Sequence, residues 1–189
     1  MAKMLLFTAP SGAGKTTIVR HLLQTSPQLA FSISATTRKR RAHEEDGRDY
    51  YFIEEADFRN RIESGDFVEY EEFYGGLLYG TLHSEIDRLW QAGKTIVFDI
   101  EVKGATNIKR AYPEETLAVF VKPPSEDILF QRLRSRATED ADSLAHRIAR
   151  AAEELSYENK FDYVLLNDDL ATTLAEAEQL VRNWLQIPT

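Results

Sequence analysis

The stretch APSGAGKTT, residues 9–17, gathers the groups that hold a polyphosphate. Gly12 and Gly14 let the backbone turn several N–H groups toward one point. A helix opening at Lys15 adds its amino end, which favours oxyanions. The Lys15 ammonium can reach terminal phosphates, and the Thr16 hydroxyl is a hard oxygen donor suited to Mg2+. The strict pattern G-x-x-x-x-G-K-[ST] is broken at its first position, where Ala9 stands. Alanine there costs about 1–2 kcal/mol only if the position needs a left-handed backbone. The plainer alternative is a glycine turn with an exposed lysine, and the strand and helix patterns on either side argue against it.

A second anion site follows. Arg38, Lys39, Arg40 and Arg41 share one short loop, preceded by the hydroxyls of Ser34, Thr36 and Thr37 and followed by Tyr50 and Tyr51. Guanidinium forks and phenols suit a phosphate monoester; a solvated basic patch is the alternative. Two such sites, one for a triphosphate and one for a monophosphate, are the minimal equipment of a kinase acting on a small phosphorylated acceptor. Carboxylates stand nearby in sequence. Asp99 and Glu101 follow the apolar run TIVF. At the carboxyl end of a parallel strand they would hold Mg2+ through water, touch the acceptor, or merely cap a helix. The run FVEYEEF offers Glu69, Glu71 and Glu72, and the residues alone do not choose among them. Arg132, Arg136 and Arg147 lie in a strongly charged stretch, where they would close over a transferring phosphoryl group or form salt bridges along a helix.

These groups need a frame. MLLFT (4–8), TIVFDI (95–100), LAVFVK (117–122) and YVLLND (163–168) read as short buried strands. KTTIVRHLLQT (15–25), HSEIDRLWQAG (83–93), SEDILFQRLRSR (125–136) and DLATTLAEAEQLVRNWL (169–185) read as helices. The alternation predicts an α/β fold with a parallel sheet covered by helices on both faces. Residues 31–82 break the rhythm. FSISA, DYYFI and DFVEYEEF, with a turn at Gly75-Gly76, predict a mixed, partly antiparallel insertion.

The 189 residues carry a net charge of −8 and no cysteine. Disulfides and cysteine metal sites are excluded, and a cytoplasmic location is expected. An acidic chain is a poor match for a nucleic-acid backbone. The opening MAKMLLFTAP is too short an apolar run for a signal peptide or a membrane span. No nucleic-acid or membrane partner is therefore expected, and the protein is expected as monomer or homodimer. The four histidines show no metal-ligand spacing.

Taken in order, PSGAGKTT, the Ser32–Phe52 block SxSxTTRxxRxxExxGxDYxF, FVEYEEFYGGLLYGT, FDIEVKGA, RSRAT and NDDL resemble the guanylate kinase family over nearly the whole chain. The resemblance implies a P-loop NTPase fold in which residues 9–17 (Ala9, Pro10, Ser11, Gly12, Ala13, Gly14, Lys15, Thr16 and Thr17) bind ATP and Asn167 faces the adenine. It implies that Arg38 and Arg41, with the hydroxyls of Tyr50 and Tyr79, hold the GMP phosphate. Glu69 then accepts from the guanine N1–H and amino group, Ser34 and Thr81 add hydroxyls, and Glu101 completes the acceptor site. Thr16, and Asp99 through water, serve Mg2+, while Arg136, Arg147 and Arg132 act with Lys15 on the phosphoryl group in transit. The chemistry is coherent, because a carboxylate answers guanine's two adjacent donors and meets adenine's bare N1 badly. The chain departs from the family pattern at Ala9, at Arg40 (usually proline), at Glu101 (usually aspartate) and at Ala137 (often glycine).

The expected organisation is one domain over about 3–184. Its core comprises 1–31, 84–124 and 156–189, with a GMP-binding insertion at 32–83 and a lid at 125–155. The implied reaction is Mg-dependent transfer from ATP to GMP or dGMP. Two alternatives stay open: a kinase for ribose 1,5-bisphosphate, and a guanylate-kinase-like module that binds phosphopeptides without catalysis.

Overall fold

The computed structural model describes residues 2–73, 75–136 and 141–187, and the side chains at 135, 136 and 141–147 fall outside that description. Five strands form a parallel sheet: β1 (Met4–Thr8), β2 (Leu29–Phe31), β7 (Thr95–Asp99), β8 (Thr116–Lys122) and β9 (Tyr163–Leu166), in spatial order β2-β7-β1-β8-β9. Four strands form a second, mixed sheet: β3 (Ala35–Thr36), β4 (Tyr51–Phe52), β5 (Phe67–Phe73) and β6 (Leu77–Leu82), ordered β4-β3-β6-β5. The helices are α1 (Lys15–Thr25), α2 (Glu55–Glu63), α3 (His83–Gln91), α4 (Val102–Ala111), α5 (Glu126–Arg136), α6 (Ala141–Leu155) and α7 (Leu170–Leu185).

The central strands are buried on both faces, which is why their sequences are continuously apolar. All five residues of β1 are buried. Leu5 and Phe7 join one core layer with Ile18 and Leu22 of α1 and Ala177 and Val181 of α7. Met4 and Leu6 join the opposite layer with Ile86 and Leu89 of α3 and Ile108 of α4. The insertion has its own apolar cluster around Ala35, Phe58, Phe67, Leu78 and Leu82. There the rings of Phe58 and Phe67 stack with centroids 4.3 Å apart.

The expected strand FSISA is divided. Leu29–Phe31 pairs with β7 in the parallel sheet, whereas Ala35–Thr36 pairs with β4 and β6 in the mixed one. Between them the chain changes sheets, held by Ser32 N–H to the Val97 carbonyl at 2.9 Å and by Ile33 N–H to Glu85 Oε1 at 3.0 Å. Glu85 is fully buried and also accepts from the Tyr51 hydroxyl and the Arg88 guanidinium. A carboxylate at the start of α3 thus pins the crossing point to the mixed sheet, its burial offset by charge-assisted hydrogen bonds. Helices α2 and α4 and strand β6 were not individually anticipated from the sequence. No helix among the described residues is long and apolar enough to cross a membrane.

Candidate active site

The phosphate loop runs from the end of β1 to the start of α1. Gly12 and Gly14 have φ of 90° and 94°, a region that strains any residue with a Cβ. At Gly14 a Cβ would also lie 2.3 Å from the Asn167 amide nitrogen. Ala9 lies outside the positive-φ region and is packed in the core layer. The missing first glycine therefore costs no left-handed strain. Ala13 N–H bonds the Pro10 carbonyl and Thr17 N–H the Gly14 carbonyl, so the loop closes directly into the helix. Asn167, buried at the end of β9, donates its amide to the Ala13 carbonyl at 2.6 Å. Its side chain braces the loop from behind.

Strand β7 runs beside β1 in parallel register, with Phe7 opposite Asp99. That register carries the Asp99 carboxylate to the mouth of the loop. One oxygen lies 2.8 Å from the Lys15 ammonium, and the other accepts from the Thr16 hydroxyl at 2.7 Å. Lys15 also donates to the Ile100 carbonyl at 2.9 Å. Thr16 and Asp99 thus present two hard oxygen donors side by side, a set that fits Mg2+ completed by water and phosphate oxygens.

A cavity of about 380 Å3 opens from this point toward the mixed sheet. Its walls include Lys15 and Asp99 at one end and Ser34, Tyr50, Glu69, Glu71 and Tyr79 at the other. Residues 69, 71 and 73 share the cavity face of β5, while Tyr70 and Glu72 are exposed. Strand alternation thereby removes Glu72 from the candidates that the sequence left open. Of the two remaining, Glu69 is buried and pairs across the sheet with Thr81, whose hydroxyl donates to its Oε1 at 2.7 Å. Burial pushes its carboxyl upward, opposed by the bonds from Thr81. The close approach of α4 depends on Gly104, where a Cβ would meet the Ile100 side chain at 2.7 Å and Glu69 Oε2 at 3.0 Å.

The basic loop is ordered by a residue to which the sequence reading assigned no role. Glu44 takes the Arg38 guanidinium in a two-point contact, at 2.7 and 3.1 Å, and accepts the Arg41 N–H at 2.8 Å. The Arg38 guanidinium holds the Glu44 carboxyl far down, at about 2. In turn, the Glu44 contact and then the Tyr79 hydroxyl hold the Arg38 charge more firmly against the effect of burial. Arg38 lies over the Tyr50 ring, 5.3 Å from its centroid, and Tyr50 packs edge-on against Tyr79. Burial pushes the Tyr50 phenol upward. Arg41 is largely exposed. Arg40 donates to the Glu44 carbonyl at 2.6 Å, so the arginine in place of proline folds back on its own loop. Thr36 and Thr37 accept backbone N–H groups from Arg38 and Leu78, which assigns those two hydroxyls to the scaffold.

Glu101 precedes α4 without capping it through its side chain, which removes the helix-cap alternative. Its carboxylate instead meets Arg150 of α6 at 2.5 Å, a contact that sequence reasoning did not find. Arg132 lies half-buried on α5. The expectations for the Arg136 and Arg147 side chains, and for Ala137, fall outside the described residues.

Comparison with known proteins bears on the family and the fold. The guanylate kinase family model matches residues 1–184. The guanylate kinase of Bacteroides fragilis is 45% identical over 188 residues, covering 100% of this chain and 92% of that protein. That of Salinibacter ruber is 45% identical over 182 residues, covering 96% of each. The crystal structure of guanylate kinase from Anaplasma phagocytophilum superposes with a TM-score of 0.76 at 26% identity, covering 100% of this chain and 88% of that one. The family match over nearly the whole chain and the relatives at 45% identity show that the chain belongs to the guanylate kinase family.

Proposed function

We propose that this protein transfers the γ-phosphoryl group of ATP to GMP, giving ADP and GDP. The observation that carries this reading is the single cavity joining Lys15 and Asp99 to Glu69 and Tyr79. One end is built for a polyphosphate and the other for a purine monophosphate.

The phosphate loop and the cavity lining support the following roles for the described residues, and the family resemblance supplies the rest. Residues 9–17 wrap the ATP phosphates, and Asn167, which braces that loop, borders the nucleotide base. Arg38 and Arg41 receive the GMP phosphate together with the hydroxyls of Tyr50 and Tyr79. Glu69 accepts from guanine N1–H and the amino group, with Ser34 and Thr81 beside it and Glu101 in the wall of the same cavity. An oxygen of the GMP phosphate attacks the γ-phosphorus, the bond from that phosphorus to the β,γ-bridging oxygen breaks, and ADP leaves with the bonding electrons. The attacking oxygen is already anionic, so no general base is needed. Positioning and charge neutralisation supply most of the rate. Thr16, and Asp99 through water, would hold Mg2+, which neutralises phosphate charge when bound. Lys15 supplies a fixed positive charge at the terminal phosphates. The lid arginines Arg132, Arg136 and Arg147 add positive charge and exclude water as the lid closes.

The buried Glu69–Thr81 pair favours guanine, whose rigid coplanar N1–H and amino donors match a carboxylate, over a sugar phosphate, whose hydroxyl donors are not held in one plane. The test is ADP release from Mg-ATP with GMP, dGMP, AMP or ribose 1,5-bisphosphate. GMP is expected to exceed AMP and ribose 1,5-bisphosphate by orders of magnitude in kcat/KM, with dGMP also accepted. Equal use of AMP would overturn the Glu69 assignment.

A further inference from the structure

One side chain stands where the core, the insertion and the lid converge. Arg150 belongs to α6. Its Nη2 donates to Glu101 Oε2 at 2.5 Å, and its Nε donates to Glu154 Oε1 at 3.1 Å. Its guanidinium lies 5.2 Å from the ring centroid of Phe73 on β5. Phe73, Glu101 and Glu71 all line the acceptor cavity. Glu71 Oε2 is buried and has no hydrogen-bond partner among the described residues.

The charges around this point are unbalanced without Arg150. Glu101 faces it from the segment before α4, Glu71 from β5 and Glu154 from α6 itself; the further cation is Lys103 at the start of α4. Burial and then the Glu101 charge push the Glu71 carboxyl upward, and Arg150 and Lys103 oppose this. Burial, followed by the facing Glu101, pushes Glu154 up to about 7, with Arg150 opposing. A doubly charged nucleotide phosphate entering this cavity would meet a wall of carboxylates if the guanidinium were absent.

We propose that Arg150 is a positioning residue for the acceptor: it holds Glu101 in the cavity wall, neutralises the carboxylates gathered there and ties the lid helix to the acceptor site. The inference rests on the assignment of the cavity to GMP. Arginine suits the task because its planar fork serves two carboxylates while its face lies on the Phe73 ring.

The test compares Arg150→Gln, Arg150→Lys, Glu101→Gln and the Arg150→Gln/Glu101→Gln double variant with the unaltered protein. Arg150→Gln is expected to raise KM for GMP about tenfold while KM for ATP stays put and kcat changes less than about threefold. Arg150→Lys should recover part of the loss, because the charge remains. The excess KM for GMP of Arg150→Gln over the unaltered protein should shrink as pH falls, because protonation of the facing carboxylates removes the negative charge that Arg150 offsets. A purely structural residue would lower thermal stability without making that KM ratio depend on pH. The double variant should be no worse than about the larger single effect. An unchanged KM for GMP in Arg150→Gln, equal rises in KM for GMP and ATP, or fully multiplicative effects in the double variant would overturn the proposal. If the unaltered protein failed to phosphorylate GMP, the proposed function itself would fall first.

Discussion

The Lys15 ammonium lies 2.8 Å from one oxygen of Asp99, and the Thr16 hydroxyl lies 2.7 Å from the other. Residues more than 80 positions apart are joined because β1 and β7 run side by side in parallel, with Phe7 opposite Asp99. The carboxylate therefore marks the point where the glycine loop meets the cavity.

Lys15→Ala removes the cation that Asp99 and the Ile100 carbonyl hold at the loop and leaves the backbone cradle. It is expected to lower kcat by about 10²–10³-fold, the scale for losing one preorganised charge at a transferring group. Circular dichroism and melting temperature should stay close to those of the parent. Unchanged kcat would remove the phosphate-loop assignment.

Asp99→Asn keeps the shape and removes the charge. The Mg2+ concentration for half-maximal rate should rise at least about tenfold, with a fall in kcat at saturating metal. A Mg2+ titration of initial rates checks this. An unaltered midpoint would exclude Asp99 from the metal environment.

Glu69→Gln replaces a double acceptor by a group that offers N–H to guanine's own donors. One mismatched buried contact at about 1–3 kcal/mol, the amide NH2 facing a guanine N–H while the amide oxygen still accepts, predicts a loss of about 10- to 100-fold in kcat/KM for GMP. AMP turnover should be little affected, so the GMP:AMP ratio falls. Competition assays with both acceptors measure that ratio directly.

The Arg38–Glu44 pair makes the stability of the basic loop depend on pH. The folded-state carboxyl of Glu44 is depressed to about 2, below the unfolded range of about 4.3. The stabilisation is therefore fully present above that range and is lost as pH falls toward about 2. Glu44→Gln lacks it throughout. Melting temperatures of the parent and Glu44→Gln should differ at pH 6 and converge on acidification. The same variant should raise KM for GMP more than for ATP, because Arg38 loses its anchor. A pH-independent gap in melting temperature would show that the charge of Glu44 does not matter.

What was legible in the sequence was local or strongly periodic. The strand, glycine loop and helix over residues 4–25 could be read because their chemistry lies within one short span. Helix α7 was legible for similar reasons, with Asp169 accepting from Thr172 N–H at its start. The division of FSISA was not, because an extended segment has the same period whichever sheet it joins; distant partners in β7 and β6 decide. Glu44 stood in the Ser32–Phe52 pattern, but its role as the anchor of Arg38 depends on how the loop folds, which also sends the neighbouring Glu45 carboxylate to Arg48 and that of Asp46 to the Phe52 N–H. Arg150 looked like one more charge on a helix, and only tertiary packing brings it to Glu101. Among the glutamates of FVEYEEF, alternation along β5 excludes Glu72, but the distinction of Glu69 required Thr81 from the neighbouring strand.

The most direct measurement is a crystal structure with ADP and GMP bound together. The GMP phosphate is expected among Arg38, Tyr50 and Tyr79, with guanine against Glu69 and Thr81. The terminal phosphate of ADP should lie at Lys15, separated from the GMP phosphate by a gap that one phosphoryl group can bridge. Guanine bound away from Glu69, or phosphates too far apart to meet with the lid closed, would contradict the assignment.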